Sequence, residues 1–140
     1  MVSVSKYDLL IELSKIDDLI FVGGTSEYIR GIKNELRDID VSVSNVEFLK
    51  KFGYVHTHFD NSFHGLSGKR GIIPTKNTII DIFIDEKRPC FENINGFKCE
   101  TVDSMINLRE KTIKDGNLKG YHLDKLKNNL NRLIEWKQLQ

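Results

Sequence analysis

The stretch Thr78-Ile79-Ile80-Asp81-Ile82-Phe83-Ile84 leaves this chain the fewest choices. Its β-branched and aromatic residues predict a strand, and the period of two puts Asp81 on one face with Ile79 and Phe83. An isolated charge buried among such neighbours is costly, so Asp81 requires a partner. A second strand is predicted over 38–43, where Asp38, Asp40 and Ser42 alternate with Ile39, Val41 and Val43. Its two carboxylates share a face.

The remaining pattern places these strands in a mixed sheet. Leu9, Leu10, Leu13 and Ile16 recur at helical spacing behind Ser5, an N-cap residue. Leu19 to Val22 reads as a short apolar strand that Gly23-Gly24 breaks. Thr25 or Ser26 can then cap a helix whose face carries Tyr28, Ile29, Ile32 and Leu36, with Gly31 inside it at a cost of about 1 kcal/mol. Ser44-Asn45-Val46-Glu47 matches a capping box for a short helix ending at Gly53, and Tyr54 to Phe59 follows as a strand with Asp60-Asn61 as its turn. Ser62 to Leu66 and Gly71 to Ile73 are expected to pair around Ser67-Gly68-Lys69-Arg70, with Pro74 closing the hairpin. Asn95-Gly96 centres a hairpin over 90–100. Helices over 102–114 and 121–137 finish the chain, the second striped by Leu123, Leu126, Leu130, Leu133 and Ile134. The expected architecture is α+β (mixed α/β), with N-terminal helices and a C-terminal helix pair on one domain, its core over about 5–100.

Composition narrows the function classes. At 140 residues the chain can bury a core of its own without disulfide or metal staples. With 21 Lys and Arg against 20 Asp and Glu, it lacks the basic excess that drives strong duplex nucleic-acid binding. Cys90 and Cys99 are too few for a disulfide framework and read as reduced thiols, which points to a cytoplasmic protein. Neither a signal peptide nor the ~20 apolar residues of a membrane span is visible in the sequence.

Three features then fall in order: a strand ending in Gly23-Gly24-Thr25-Ser26, a helix, and a strand carrying Asp38 and Asp40. Glycines at a strand-to-helix turn let backbone N–H groups approach a phosphate, and Thr25 or Ser26 can add a hydroxyl. Carboxylates at i and i+2 suit a hard cation such as magnesium, whose remaining ligands are waters and phosphate oxygens. A cation shared with Asp38 and Asp40 would answer the need of Asp81. Asp85, beside Glu86, reads as a solvated strand end.

This order resembles the signature of the polymerase-beta-like nucleotidyltransferase superfamily, and Phe21 to Val43 is similar to its small antibiotic and minimal members, in which an arginine, here Arg37, commonly precedes the acidic pair. The resemblance runs from about Leu19 to Ile84, and Leu108-Arg109-Glu110-Lys111 is similar to a helix with a phosphate-directed lysine. It implies the nucleotidyltransferase fold and transfer of a nucleoside monophosphate from a nucleoside triphosphate to an acceptor hydroxyl, with pyrophosphate leaving. Asp38, Asp40 and Asp81 would be the catalytic and metal residues, holding two Mg2+ ions. Gly23, Gly24, Thr25, Ser26 and Lys111 would bind the nucleotide, such as ATP, with Arg30 and Lys33 as weaker phosphate candidates. The chain departs from the family where a Lys-Asp pair often opens the last helix: here Leu123-Asp124 stands.

The alternative is a noncatalytic protein of the same fold that binds a nucleotide or a partner, of antitoxin or phage-defence type. The acceptor is a small molecule, a protein or RNA, and with no large acceptor-recognition domain visible, specificity is expected from loops, a small appended surface, or a partner chain, whether a homodimer or a partner protein. His56, His58 and His64 are expected on the surface or in an acceptor pocket rather than on zinc, and Gly65 to Gly71 lacks P-loop spacing. Lys69-Arg70 and Lys125-Lys127 read as solvated, and the Leu stripe with Trp136 as core.

Overall fold

The computed structural model describes residues 5–59 and 69–140. Elements follow as α1 (Lys6–Ser14), β1 (Ile20–Phe21), α2 (Gly23–Ile29), β2 (Ile39–Val43), a 3-10 helix (Val46–Phe52), β3 (His56–Phe59), β4 (Lys69–Pro74), β5 (Ile79–Ile84), β6 (Phe91–Ile94), β7 (Phe97–Glu100), α3 (Val102–Asp115) and α4 (Tyr121–Gln138). The strands form one seven-stranded sheet in the order β3-β4-β5-β2-β1-β7-β6. β2 runs parallel to β5 and β1 parallel to β7, while the other neighbours are antiparallel. The expected mixed α+β architecture is present.

Period-two alternation divides the sheet into an apolar and a polar face. Ile39, Val41, Val43, Ile80, Ile82, Ile73, Phe21 and Cys99 join Leu9, Leu10 and Leu13 of α1 and Leu49 in the main core. The opposite face carries Asp40, Asp81, Phe83, Asp85 and Arg70 by the same alternation, with Ile20, Val22 and Phe83 in a small apolar cluster of their own. The tail helices add a third cluster, in which Val102 and Met105 of α3 meet Leu133 of α4, with Trp136 packed against them. Trp136 and Leu133 of the predicted stripe therefore serve packing.

Local chemistry explains where elements begin and end. Ser5 caps α1, its hydroxyl accepting the Asp8 N–H at 3.1 Å. α2 is shorter than expected, because Gly31 is its terminator: it takes φ 82°, and the Ile32 N–H closes back on the Glu27 carbonyl at 2.8 Å. That is the Schellman pattern, in which a glycine relieves the left-handed turn rather than weakening a helix interior. The cap of the 3-10 helix is Asn45, whose side chain accepts the Glu47 N–H. Ser44, the expected cap, instead donates through its N–H and hydroxyl to Asp18, both at 2.7 Å.

The hairpin expectation around Arg70 is also corrected. Gly71 pairs with Thr57 and with Ile82, so β4 is an internal strand between β3 and β5, and Lys69-Arg70 lie in it rather than at a turn. The expected partner Ser62 to Leu66, the Asp60-Asn61 turn, Ser67-Gly68 and His64 lie outside the described residues. The hairpin at Asn95-Gly96 is as expected, pairing Ile94 with Phe97. Among the described residues no helix is long and apolar enough to cross a membrane.

Candidate functional site

Parallel pairing of β2 with β5 sets Asp40 directly opposite Asp81, on the polar face. Asp38, exposed just before β2, joins them along the wall of a cavity of about 520 Å³. Gly23 and Gly24 line the same cavity. Their lack of side chains matters by proximity: a Cβ on Gly23 would stand 3.5 Å from Asp40 Oδ2, and one on Gly24 3.3 Å from Lys33 Nζ. Gly23 also takes φ 52°, a conformation that L side chains rarely adopt.

The other nucleotide-binding expectations are placed differently. Thr25 and Ser26 are fully buried and tie the turn to the sheet. The Thr25 hydroxyl accepts the Asp40 N–H at 2.8 Å, fixing the start of β2, and the Ser26 hydroxyl donates to the Glu100 carbonyl at 2.8 Å. The Gly23 N–H donates to Glu100 Oε1 at 3.1 Å. Lys111 lies in a second cavity of about 430 Å³, whose lining includes Phe83, Asp85, Cys90 and Glu100. Among the described residues the two cavities share Gly23 and Phe83 in their linings. Arg30 donates to the Glu100 carbonyl and pairs with Glu92 at 2.7 Å.

Lys33, a weaker phosphate candidate in the sequence, lines the first cavity, and so do Arg70, Arg109 and Lys125, to which the sequence assigned no phosphate contact. Arg70, read as solvated, is buried: its Nη2 donates to both Asp81 oxygens at 2.8 Å, and its guanidinium lies 3.9 Å from the Phe83 ring centroid. Asp81 thus has the partner its strand requires, from within the protein. Arg109 and Arg132 hold the buried Glu27 at 3.1 and 2.9 Å, joining α2 to both tail helices.

Charge crowding marks the acidic end. Burial, followed by the Asp81 and Asp38 carboxylates, pushes Asp40 up to about 8 against the pull of Arg70 and Lys33. Burial pushes Glu27 up, but Arg109 and Arg132 outweigh it and hold the carboxyl below its ordinary value. Burial also lowers Lys33, with Glu27 opposing. Glu100 is raised, by burial first, against hydrogen bonds from Ser104 and Gly23.

Asp85 corrects a second reading: it is 3% exposed and accepts the Ser42 hydroxyl at 2.8 Å, so it is no solvated strand end. His56 stacks edge-on against Tyr54. Among the described residues no group of three or more His, Cys, Asp or Glu side chains is gathered as a metal site. Within the acidic trio, both oxygens of Asp81 face Arg70. The donor chemistry still suits a hard divalent cation: three carboxylates line one cavity, and burial, with the Asp81 and Asp38 charges beside it, raises Asp40.

Compared with family models, curated proteins and solved structures, the chain finds no significant match in any of the three.

Proposed function

We propose that this chain is a magnesium-dependent nucleotidyltransferase of the polymerase-beta-like fold, moving a nucleoside monophosphate from a triphosphate to an acceptor hydroxyl. The observation that carries the reading is the register of Asp40 on Asp81 beside Gly23 and Gly24, in one cavity with Asp38 and the cationic side chains of Lys33, Arg70, Arg109 and Lys125. A cavity of about 520 Å³ is of the size that takes a nucleotide.

In this reading Asp38 and Asp40 hold magnesium, which supplies charge neutralisation on the triphosphate when bound. Gly23 and Gly24 keep the approach to Asp40 open, while Lys33, Arg109 and Lys125 face the phosphates. Asp81 orients the acceptor hydroxyl and takes its proton. The acceptor oxygen forms a bond to the α-phosphorus as the bond to the bridging oxygen breaks, and pyrophosphate carries away the electron pair. Positioning and charge do most of the work.

A noncatalytic nucleotide-binding role is the second reading, favoured by the Arg70 contact that occupies Asp81. Incubation with magnesium, each α-labelled nucleoside triphosphate and a cell extract as acceptor pool separates the two. Label transfer and pyrophosphate release by the wild type but not by Asp40→Asn is the expected result. Nucleotide binding without transfer under any acceptor pool selects the second reading, and absence of both overturns the proposal.

A further inference from the structure

Glu100 ends β7, and the parallel pairing of Phe21 with Cys99 brings that strand end level with the turn that follows β1. Cys99 belongs to the main core, so alternation turns Glu100 to the opposite, polar face, where it is 3% exposed. Its carboxylate accepts the Gly23 N–H through Oε1 at 3.1 Å and the Ser104 hydroxyl through Oε2 at 2.7 Å. Its carbonyl accepts the Ser26 hydroxyl at 2.8 Å and Arg30 Nη2 at 2.9 Å. One residue thus grips the turn at both ends, Gly23 by its side chain and Ser26 by its main chain. Thr101, the next residue, caps α3 by accepting the Ser104 N–H at 3.1 Å, which brings the Ser104 hydroxyl to the Glu100 carboxylate. The two donors to that carboxylate are neutral, and a carboxyl is a costly acceptor to bury on such terms.

Resting on the nucleotidyltransferase reading, we infer that Glu100 is a positioning residue for the nucleotide: acting through the Gly23 N–H, it holds the turn in the conformation that leaves Asp40 uncovered. Gly23 takes φ 52°, and a glycine populates both signs of φ about equally, so its own backbone does not choose between them. The hydrogen bond to Glu100 selects one. The choice matters because Gly23 lies against the acidic end, where a Cβ would stand 3.5 Å from Asp40 Oδ2. Ser104 acts one step further back, by fixing which way the Glu100 carboxylate faces. Glu100 lines the second cavity and Gly23 lines both, so the bond crosses the wall between them. Glu100 touches neither the phosphates nor the acceptor in this scheme. Its effect falls on how tightly the nucleotide is held, and the chemical step is left alone.

The test pairs a local readout with a binding readout. Amide hydrogen exchange at Gly23, followed by nuclear magnetic resonance, reports the hydrogen bond. Titration with magnesium and a fluorescent analogue of each nucleoside triphosphate reports affinity and the number of sites per chain. Glu100→Leu, which keeps the bulk and removes the acceptor, should speed Gly23 exchange and weaken the nucleotide, each about tenfold, with the number of sites unchanged. Glu100→Gln, whose amide oxygen still accepts the Gly23 N–H and whose amide nitrogen can donate to Ser104, should stay within about twofold of the wild type in both. Ser104→Ala should move both quantities in the direction of Glu100→Leu by less. If Glu100→Leu fails to fold, as circular dichroism would report, Ser104→Ala decides. A merely structural role would lower the number of sites and leave the affinity of the rest unchanged, which overturns the role of Glu100. Wild-type affinity in both Glu100→Leu and Ser104→Ala overturns it too and spares the functional reading, as does a Glu100→Gln as weak as Glu100→Leu. Nucleotide binding by no form of the chain overturns both.

Discussion

Asp40 and Asp81 stand at the same level of adjacent parallel strands, paired directly across the sheet. The pairing puts two like charges where a protein selected for stability alone would put a hydrophobic pair. Its cost depends on pH. The folded chain keeps the Asp40 proton up to about 8, whereas the unfolded chain releases it near 3.8. Between these values the native state holds the extra proton, so stability falls as pH rises and the loss is complete above about 8. Asp40→Asn should therefore stabilise the fold by on the order of 2 kcal/mol at pH 8, and hardly at all at pH 4. Urea denaturation at the two pH values reads this directly. Equal stability of the two proteins at pH 8 would show that Asp40 is not crowded.

The two glycines of the turn should respond differently to alanine. Gly23→Ala forces an L side chain to φ 52° and should cost about 1–2 kcal/mol of stability. At Gly24 the added methyl meets the far end of a flexible lysine, which can move. Gly24→Ala should keep its stability within about 0.5 kcal/mol and lose nucleotide affinity, because Lys33 is displaced from the cavity. Thermal melting and fluorescent-nucleotide titration of both variants distinguish the two effects.

Much of the fold was legible because it is written in periodicity. The alternation over 38–43 and the apolar run over 78–84 gave β2 and β5 nearly to the residue, and Asn95-Gly96 gave the β6–β7 turn. Gly31 was misread since a helix interior and a Schellman terminus share the same local sequence, and only the Ile32 to Glu27 bond tells them apart. The carboxylates could be picked out because charge in an apolar strand is conspicuous. Arg70 could not, because its partner is set by the register of β4 on β5, which no local pattern contains. Asp85 hid for the same reason, its Ser42 partner lying on another strand. At Arg109 and Lys111 the basic motif was visible but not its helical phase: two positions turn about 200° around a helix, and Arg109 rather than Lys111 faces the acidic cavity.

That phase difference makes the lysines a test of where the phosphates lie. Lys125 lines the cavity of the carboxylates, and Lys111 lines the neighbouring one. Lys125→Ala should weaken nucleotide binding about tenfold, as expected for a lost charge-assisted hydrogen bond, while Lys111→Ala should leave it within about twofold. Isothermal titration with the nucleotide that the transfer assay selects measures both. The opposite ranking would move the phosphate chain into the second cavity, across Gly23 and Phe83.

Glu27 bears on whether the cavity keeps its shape. It is 1% exposed and is held by Arg109 from α3 and Arg132 from α4, so a single carboxylate docks both tail helices to the site. Removing it leaves two arginines without their anion, one of them buried, and breaking such a pair costs about 3–5 kcal/mol. Glu27→Gln should thus destabilise the whole chain, and the damage should be smallest in acid. The two arginines outweigh the burial of Glu27 and hold its carboxyl below the ordinary 4.5, so its contribution is complete above that value and disappears as pH falls through the lowered one. The wild-type advantage over Glu27→Gln should accordingly be full at pH 6 and shrink below pH 4, read as the gap between their urea midpoints. A gap that does not change with pH would mean that the guanidinium groups hold the helices by shape and stacking, with the charge of Glu27 playing no part.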